Sequence, residues 1–127
     1  MFEQDYIMRL IQEMVKVLLK LLFHLDADAP TAKLYSQLEE KETLDTLLDL
    51  VDGGDICGAE NRLWEMASDG EPAALETALL FYSYLNEKTD DFLTEHDFSR
   101  QEIKEGLESI VSRYGLGSLV SAFLADA

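Results

Sequence analysis

The 127-residue sequence predicts an all-α protein. Three observations carry that reading. Leu, Ala and Glu are abundant while Val, Ile and Thr are sparse, which favours helix over sheet. The apolar residues recur at helical spacing, and the breaks between them carry helix start and stop signals. With 47% apolar residues the chain has material for a real core. The expected architecture is an array of about five main helices plus a short C-terminal one, in a single domain spanning residues 1–127.

The first predicted helix runs from about Gln4 to Leu25. Asp5, Arg9, Gln12, Glu13, Lys16, Lys20 and His24 share an arc of about 120°, and nearly everything else is apolar. An ordinary surface helix needs an apolar stripe of just over 100°, and this one offers roughly twice that. It must be covered on two sides. Asp26 to Thr31 is a break, with Pro30 near the start of the next helix. A second helix is expected from about Ala32 to Val51, with Leu34, Leu38, Leu44, Leu47, Leu48 and Val51 as its apolar stripe. Gln37 to Glu42 reads as its solvated middle.

Asp52-Gly53-Gly54-Asp55 is a turn. Gly53 suits the left-handed position after the helix, and Asp55 suits the cap of the next. The third helix, Ile56 to Ser68, should bury Ile56, Ala59, Leu63, Ala67 and either Trp64 or Met66. Asp69-Gly70 ends it, and Pro72 opens a fourth helix to Asn86 with Leu75, Leu79, Tyr82 and Leu85 on one face. A short turn of helix fits Asp90–Glu95. Ser99-Arg100-Gln101-Glu102 has the form of a capping box, with Phe98 and Ile103 where a hydrophobic staple would sit. The fifth helix then runs to Tyr114, with Gly115 and Leu116 set for a Schellman ending against Val111. Ser118 to Ala125 reads as the short last helix.

Charge divides the chain. There are 10 Lys+Arg and 26 Asp+Glu, a net charge of −16. Residues 1–25 balance Arg9, Lys16 and Lys20 against Glu3, Asp5 and Glu13, so the other 7 bases and 23 acids carry the whole excess. The picture is a neutral amphipathic helix, residues 1–25, attached to an acidic helical body, residues 32–127. Such a surface repels nucleic acid and anionic lipid at long range. Cys57 is the only cysteine, which excludes an internal disulfide and fits a reducing compartment. Its expected state is a buried, inert thiol. Arg9, Glu13, Lys16 and Lys20 interrupt the N-terminal apolar stretch, so it reads neither as transmembrane nor as a signal peptide. A cytoplasmic location is the expectation.

Gly54-Asp55-Ile56, Ala59, Leu63 and Met66 resemble the turn and second helix of a tetratricopeptide repeat, a family of stacked helical hairpins that bind peptides. Thr43 and Leu47 stand where that family places aromatic and small residues, and no second copy follows. A second resemblance covers most of the chain. Asp5-Tyr6-Ile7-Met8-Arg9 with the apolar helix behind it, Ser99-Arg100-Gln101-Glu102-Ile103 and Gly106-Leu107 are similar to a family of small bacterial proteins known only as a domain of unknown function. That resemblance implies no activity and brings no catalytic residues.

No chemistry-bearing motif stands out. Asp91, Glu95 and His96 could gather around a hard cation, yet an acidic connector explains them as well. Asp26 and Asp28 start like a calcium loop, but Thr31 and Gln37 stand where it needs Gly and Glu. Two His and one Cys make a structural zinc site implausible. There is no nucleophile elbow, P-loop or dinucleotide fingerprint, and His24 and His96 are the sole near-neutral bases. The expectation is a non-enzyme with no cofactor, no metal and no small-molecule substrate.

The first helix is the remaining place for function. It is covered by the rest of its own monomer, by a second copy in a homodimer, or by another protein or a membrane. Ile7, Leu10, Met14, Val17, Leu18 and Leu21 are the expected interaction face. The function that fits is a protein-interaction or scaffold module that self-associates through this helix. The alternative is a peripheral membrane protein anchored by it.

Overall fold

The computed structural model describes residues 2–23, 41–68 and 70–118. Its elements are α1 (Phe2–Phe23), α2 (Lys41–Asp52), α3 (Ile56–Ala67), α4 (Pro72–Glu87), the short α5 (Asp90–Glu95) and α6 (Arg100–Arg113). Among the described residues there is no strand. The break at Asp26–Thr31, most of the first half of the expected second helix and most of the expected last helix lie outside the described residues.

Helix α4 sits at the centre. It packs against α1, α6 and both helices of the α2–α3 hairpin. Its sequence allows this because Glu76 and Glu87 are its only charged residues. Leu75, Leu79, Tyr82 and Leu85 are buried as expected, and Ala74, Thr77, Ala78, Leu80 and Phe81 are buried with them. An apolar surface on nearly every side marks a helix enclosed by others rather than one lying on a surface. Thr77 is tolerated there because its hydroxyl donates to the carbonyl of Ala73 at 3.0 Å. Burying each large apolar side chain contributes about 2 kcal/mol.

Helix α1 covers α4 and α6. Leu10, Ile11, Met14, Val15, Leu18 and Leu19 are all core residues. Much of its broad apolar surface is therefore taken up inside the chain's own fold.

The local punctuation explains where the helices stop. Helix α2 runs one residue past the expected end, to Asp52, so Gly54 rather than Gly53 takes the left-handed position, with φ 94°. Gly54 N–H donates to Val51 O at 2.9 Å and Asp55 N–H to Leu50 O at 2.8 Å, the paired bonds of a Schellman ending. The Asp55 carboxylate then accepts from Gly58 N–H at 3.0 Å and caps α3. Pro72 occupies the first turn of α4. Thr89 caps α5, accepting from Phe92 N–H. Ser99 caps α6, accepting from Glu102 N–H at 3.2 Å, while the Glu102 side chain stays exposed. Gly115, with φ 79°, ends α6, and Leu116 N–H reaches Val111 O at 3.1 Å as the sequence predicts. Leu116 packs against the core.

Candidate functional site

The expected interaction face is divided by the fold. Leu10, Met14 and Leu18 point into the core, and Ile7 packs against it. Val17 is half-buried. Leu21 is 58% exposed, and its neighbour Leu22 is 36% exposed. Both lie within about 60° of Leu18 on the helical wheel, on the side that is buried further up the helix. The C-terminal end of the α1 apolar face is thus exposed.

A second feature is an open groove of about 380 Å³ between α3 and α6. Cys57, Glu60 and Trp64 line it from α3, Glu102, Glu105, Gly106 and Ser109 from α6, and Asp97 and Phe98 from the connection before α6. Burial pushes the Glu60 carboxyl above its ordinary value, and the negative charge of Glu102 adds to that. The Tyr82 hydroxyl opposes the shift by donating to Glu60 Oε2 at 2.7 Å. Tyr82 is itself fully buried, and burial followed by the Glu60 charge raises its phenol well above the usual range. Gly106 makes this pairing possible. A Cβ there would stand 2.6 Å from Tyr82 Oη and 2.9 Å from Glu60 Oε2.

Cys57 is exposed at this groove, which corrects the expectation of a buried thiol. Position 57 is the second residue of α3, and there the helix turns toward solvent while Ile56 and Ala59 turn inward.

A third cleft, between α2 and α3, is lined by Glu42, Thr43, Thr46, Leu47, Arg62, Glu65 and Met66. Arg62 places a cation among its carboxylates.

The Asp91, Glu95 and His96 cluster is not gathered around a common point. Asp91 and Glu95 are exposed, and the His96 ring packs against Phe92 with centroids 4.5 Å apart. The same ring fills the space beside Gly54, where a Cβ would meet it at 2.7 Å. Among the described residues no group of three His, Cys, Asp or Glu could hold a metal ion. His24 lies outside the described residues.

Two polar clusters have no counterpart in the sequence reading. Lys88 Nζ meets Asp52 Oδ1 at 2.8 Å and lies over the rings of Tyr84 and Phe92. Tyr84 also donates to Asp52, at 2.7 Å. Hydrogen bonds from Lys88 and Tyr84 hold the Asp52 carboxyl below its ordinary value. Arg100 is 5% exposed and its guanidinium is spread over α4's C-terminal end. These clusters join elements to one another. Nothing local in the sequence marked Arg100 for burial, since its partners Asn86, Lys88 and Asp90 lie on other elements.

Among the described residues no helix is long and apolar enough to cross a membrane. No curated protein and no solved structure matches the chain. Residues 1–115 match the family of unknown function DUF6483, and the chain belongs to that family.

Proposed function

We propose that the protein is a non-enzymatic interaction module that self-associates through the C-terminal end of α1. One observation carries this reading. Leu21 and Leu22 continue the buried face of α1, and they are exposed. A second copy fits the electrostatics. Two chains of net charge −16 repel each other over most of their surfaces, while residues 1–25 net to zero. Two copies meet at α1 without juxtaposing their acidic bodies.

A peripheral membrane role is the second reading. Lys20 is exposed beside Leu21 and Leu22, as at the edge of an interfacial helix. The acidic body works against it on anionic lipid.

Light scattering on a sizing column tests the first reading. The expected mass is that of a dimer or larger, and a Leu21→Glu, Leu22→Glu double variant should elute as a folded monomer. Leu10→Glu should instead unfold the chain, because Leu10 is core. A wild-type monomer across the accessible concentration range would sink self-association. Co-sedimentation of that monomer with liposomes would then favour the membrane.

A further inference from the structure

The groove between α3 and α6 shares no residue with the exposed end of α1 and has a different chemistry. We propose that it docks a basic, amphipathic segment of a partner protein, seating an apolar side chain against Trp64 and Gly106 while Lys or Arg side chains meet Glu60, Glu102, Glu105 and Asp97.

Size and lining fit that occupant. About 380 Å³ accommodates a few side chains, and the groove is open along its length rather than closed over a small molecule. Its apolar part is formed by half-buried Trp64 and by Phe98. Gly106 contributes no side chain, so the α6 wall is low at the middle of the groove.

The charges are of one sign. Glu60, Asp97, Glu102 and Glu105 line the groove, and no Lys or Arg does. Among the described residues no cation is paired with any of the four, whereas the neighbouring Glu108 is engaged by Lys104 at 3.2 Å. Part-burial of Glu60 makes its negative charge costly, and a cation brought alongside offsets that cost. Arg113 of the same chain lies 5.6 Å from the Trp64 ring centroid, so a cation already stacks at this ring.

Other occupants fit less well. A second copy of this chain or a nucleic acid brings more negative charge to an acidic rim. The α2–α3 cleft is larger but has Arg62 among its acids and no aromatic ring. The net charge of −16 would also draw a basic partner in and speed the encounter.

Trp64 is the only tryptophan in the chain and lines this groove, so its fluorescence serves as the reporter. The test titrates the full chain with a synthetic amphipathic peptide of Lys and Leu, and with two relatives in which Glu replaces Lys or Ser replaces Leu. The expected result is a saturable change in Trp64 emission with the Lys/Leu peptide and with neither relative. A Glu102→Gln, Glu105→Gln double variant should weaken binding about tenfold. A Glu42→Gln, Glu65→Gln variant, which removes the same charge from the α2–α3 cleft, should bind as the wild type does. Absence of a saturable change would overturn the proposal. So would equal weakening by the two double variants, or equal binding of the Lys/Ser peptide, since either would reduce the effect to general attraction toward an acidic surface.

Discussion

Arg100 closes the end of α4 by reaching Asn86. Its Nη1 donates to the Asn86 carbonyl at 2.7 Å and to Asn86 Oδ1 at 3.2 Å, and its Nη2 donates to the Lys88 carbonyl at 2.7 Å. Nε meets Asp90 Oδ1 at 3.0 Å. The last carbonyls of a helix have no partner within it, and here a side chain from another helix supplies one. Asn86 passes the connection on, because its Nδ2 donates to the Met8 carbonyl at 3.0 Å. One polar chain thus links α6, α4 and α1.

Removing Arg100 leaves those buried acceptors bare. Arg100→Ala is expected to lower unfolding stability by about 3 kcal/mol. Arg100→Lys should recover little of it, since one ammonium cannot span acceptors that a planar fork reaches together. Urea denaturation of the two variants checks this. An unchanged midpoint in Arg100→Ala would show the network to be dispensable.

Asn86→Ala keeps the Arg100 bonds to the Asn86 and Lys88 carbonyls but removes the Arg100 bond to Asn86 Oδ1 and the tie to the Met8 carbonyl of α1. The expected loss is about 1–2 kcal/mol, felt most at the docking of α1. Amide hydrogen exchange is the measurement, with faster exchange in α1 than in α2. Uniform acceleration throughout the chain would contradict a localised role.

Gly106 stands inside α6, where Ala would ordinarily gain about 1 kcal/mol from helix propensity. The contacts with Tyr82 and Glu60 reverse the sign. The Tyr82 ring is fully buried and cannot swing aside, so Gly106→Ala should destabilise by about 1–3 kcal/mol. A thermal melt decides it, because a rise in Tm would mean that the pair relaxes freely.

Glu60 gives stability a pH dependence of defined sign. Its carboxyl titrates higher in the folded chain than in the unfolded one, so the folded state binds the proton more tightly. The contribution of Glu60 to stability is fully present below its unfolded pKa and is lost as pH rises through its folded pKa. Glu60→Gln can still accept the Tyr82 hydroxyl and carries no charge. It should be more stable than the wild type at neutral pH, with a flatter profile above the ordinary carboxylate range. Melting curves across weakly acidic to neutral pH compare the two, and parallel profiles would assign the slope to other groups.

The helix ends were legible because their determinants lie within a few residues. Asp55, Pro72, Ser99 and Gly115 each act on backbone groups next to them, and each does so in the structure. The exchange of Gly53 for Gly54 followed from α2 ending one residue later, a shift that local propensity does not resolve. The candidate site was less legible. The six residues chosen on α1 were selected for apolarity, a property shared by the residues that α4 and α6 bury and by the two leucines they leave open. The α3–α6 groove had no sequence signature, since Glu60 and Trp64 meet Glu102 and Gly106 only when two helices pack.

The sequence by itself determined that this chain is helical, where its helices are capped, that its charge is concentrated outside the first 25 residues and which family it resembles. Tertiary structure decided that α4 packs against α1, α2, α3 and α6, that Arg100 is buried and that Cys57 faces solvent. The physical reason is range. A cap or a Schellman turn is a bond between near neighbours, whereas Asn86 meets Met8 across 78 positions and Tyr82 meets Glu60 across 22. Such pairs depend on how helices stack, and stacking is set by the shapes of whole apolar faces competing for one another.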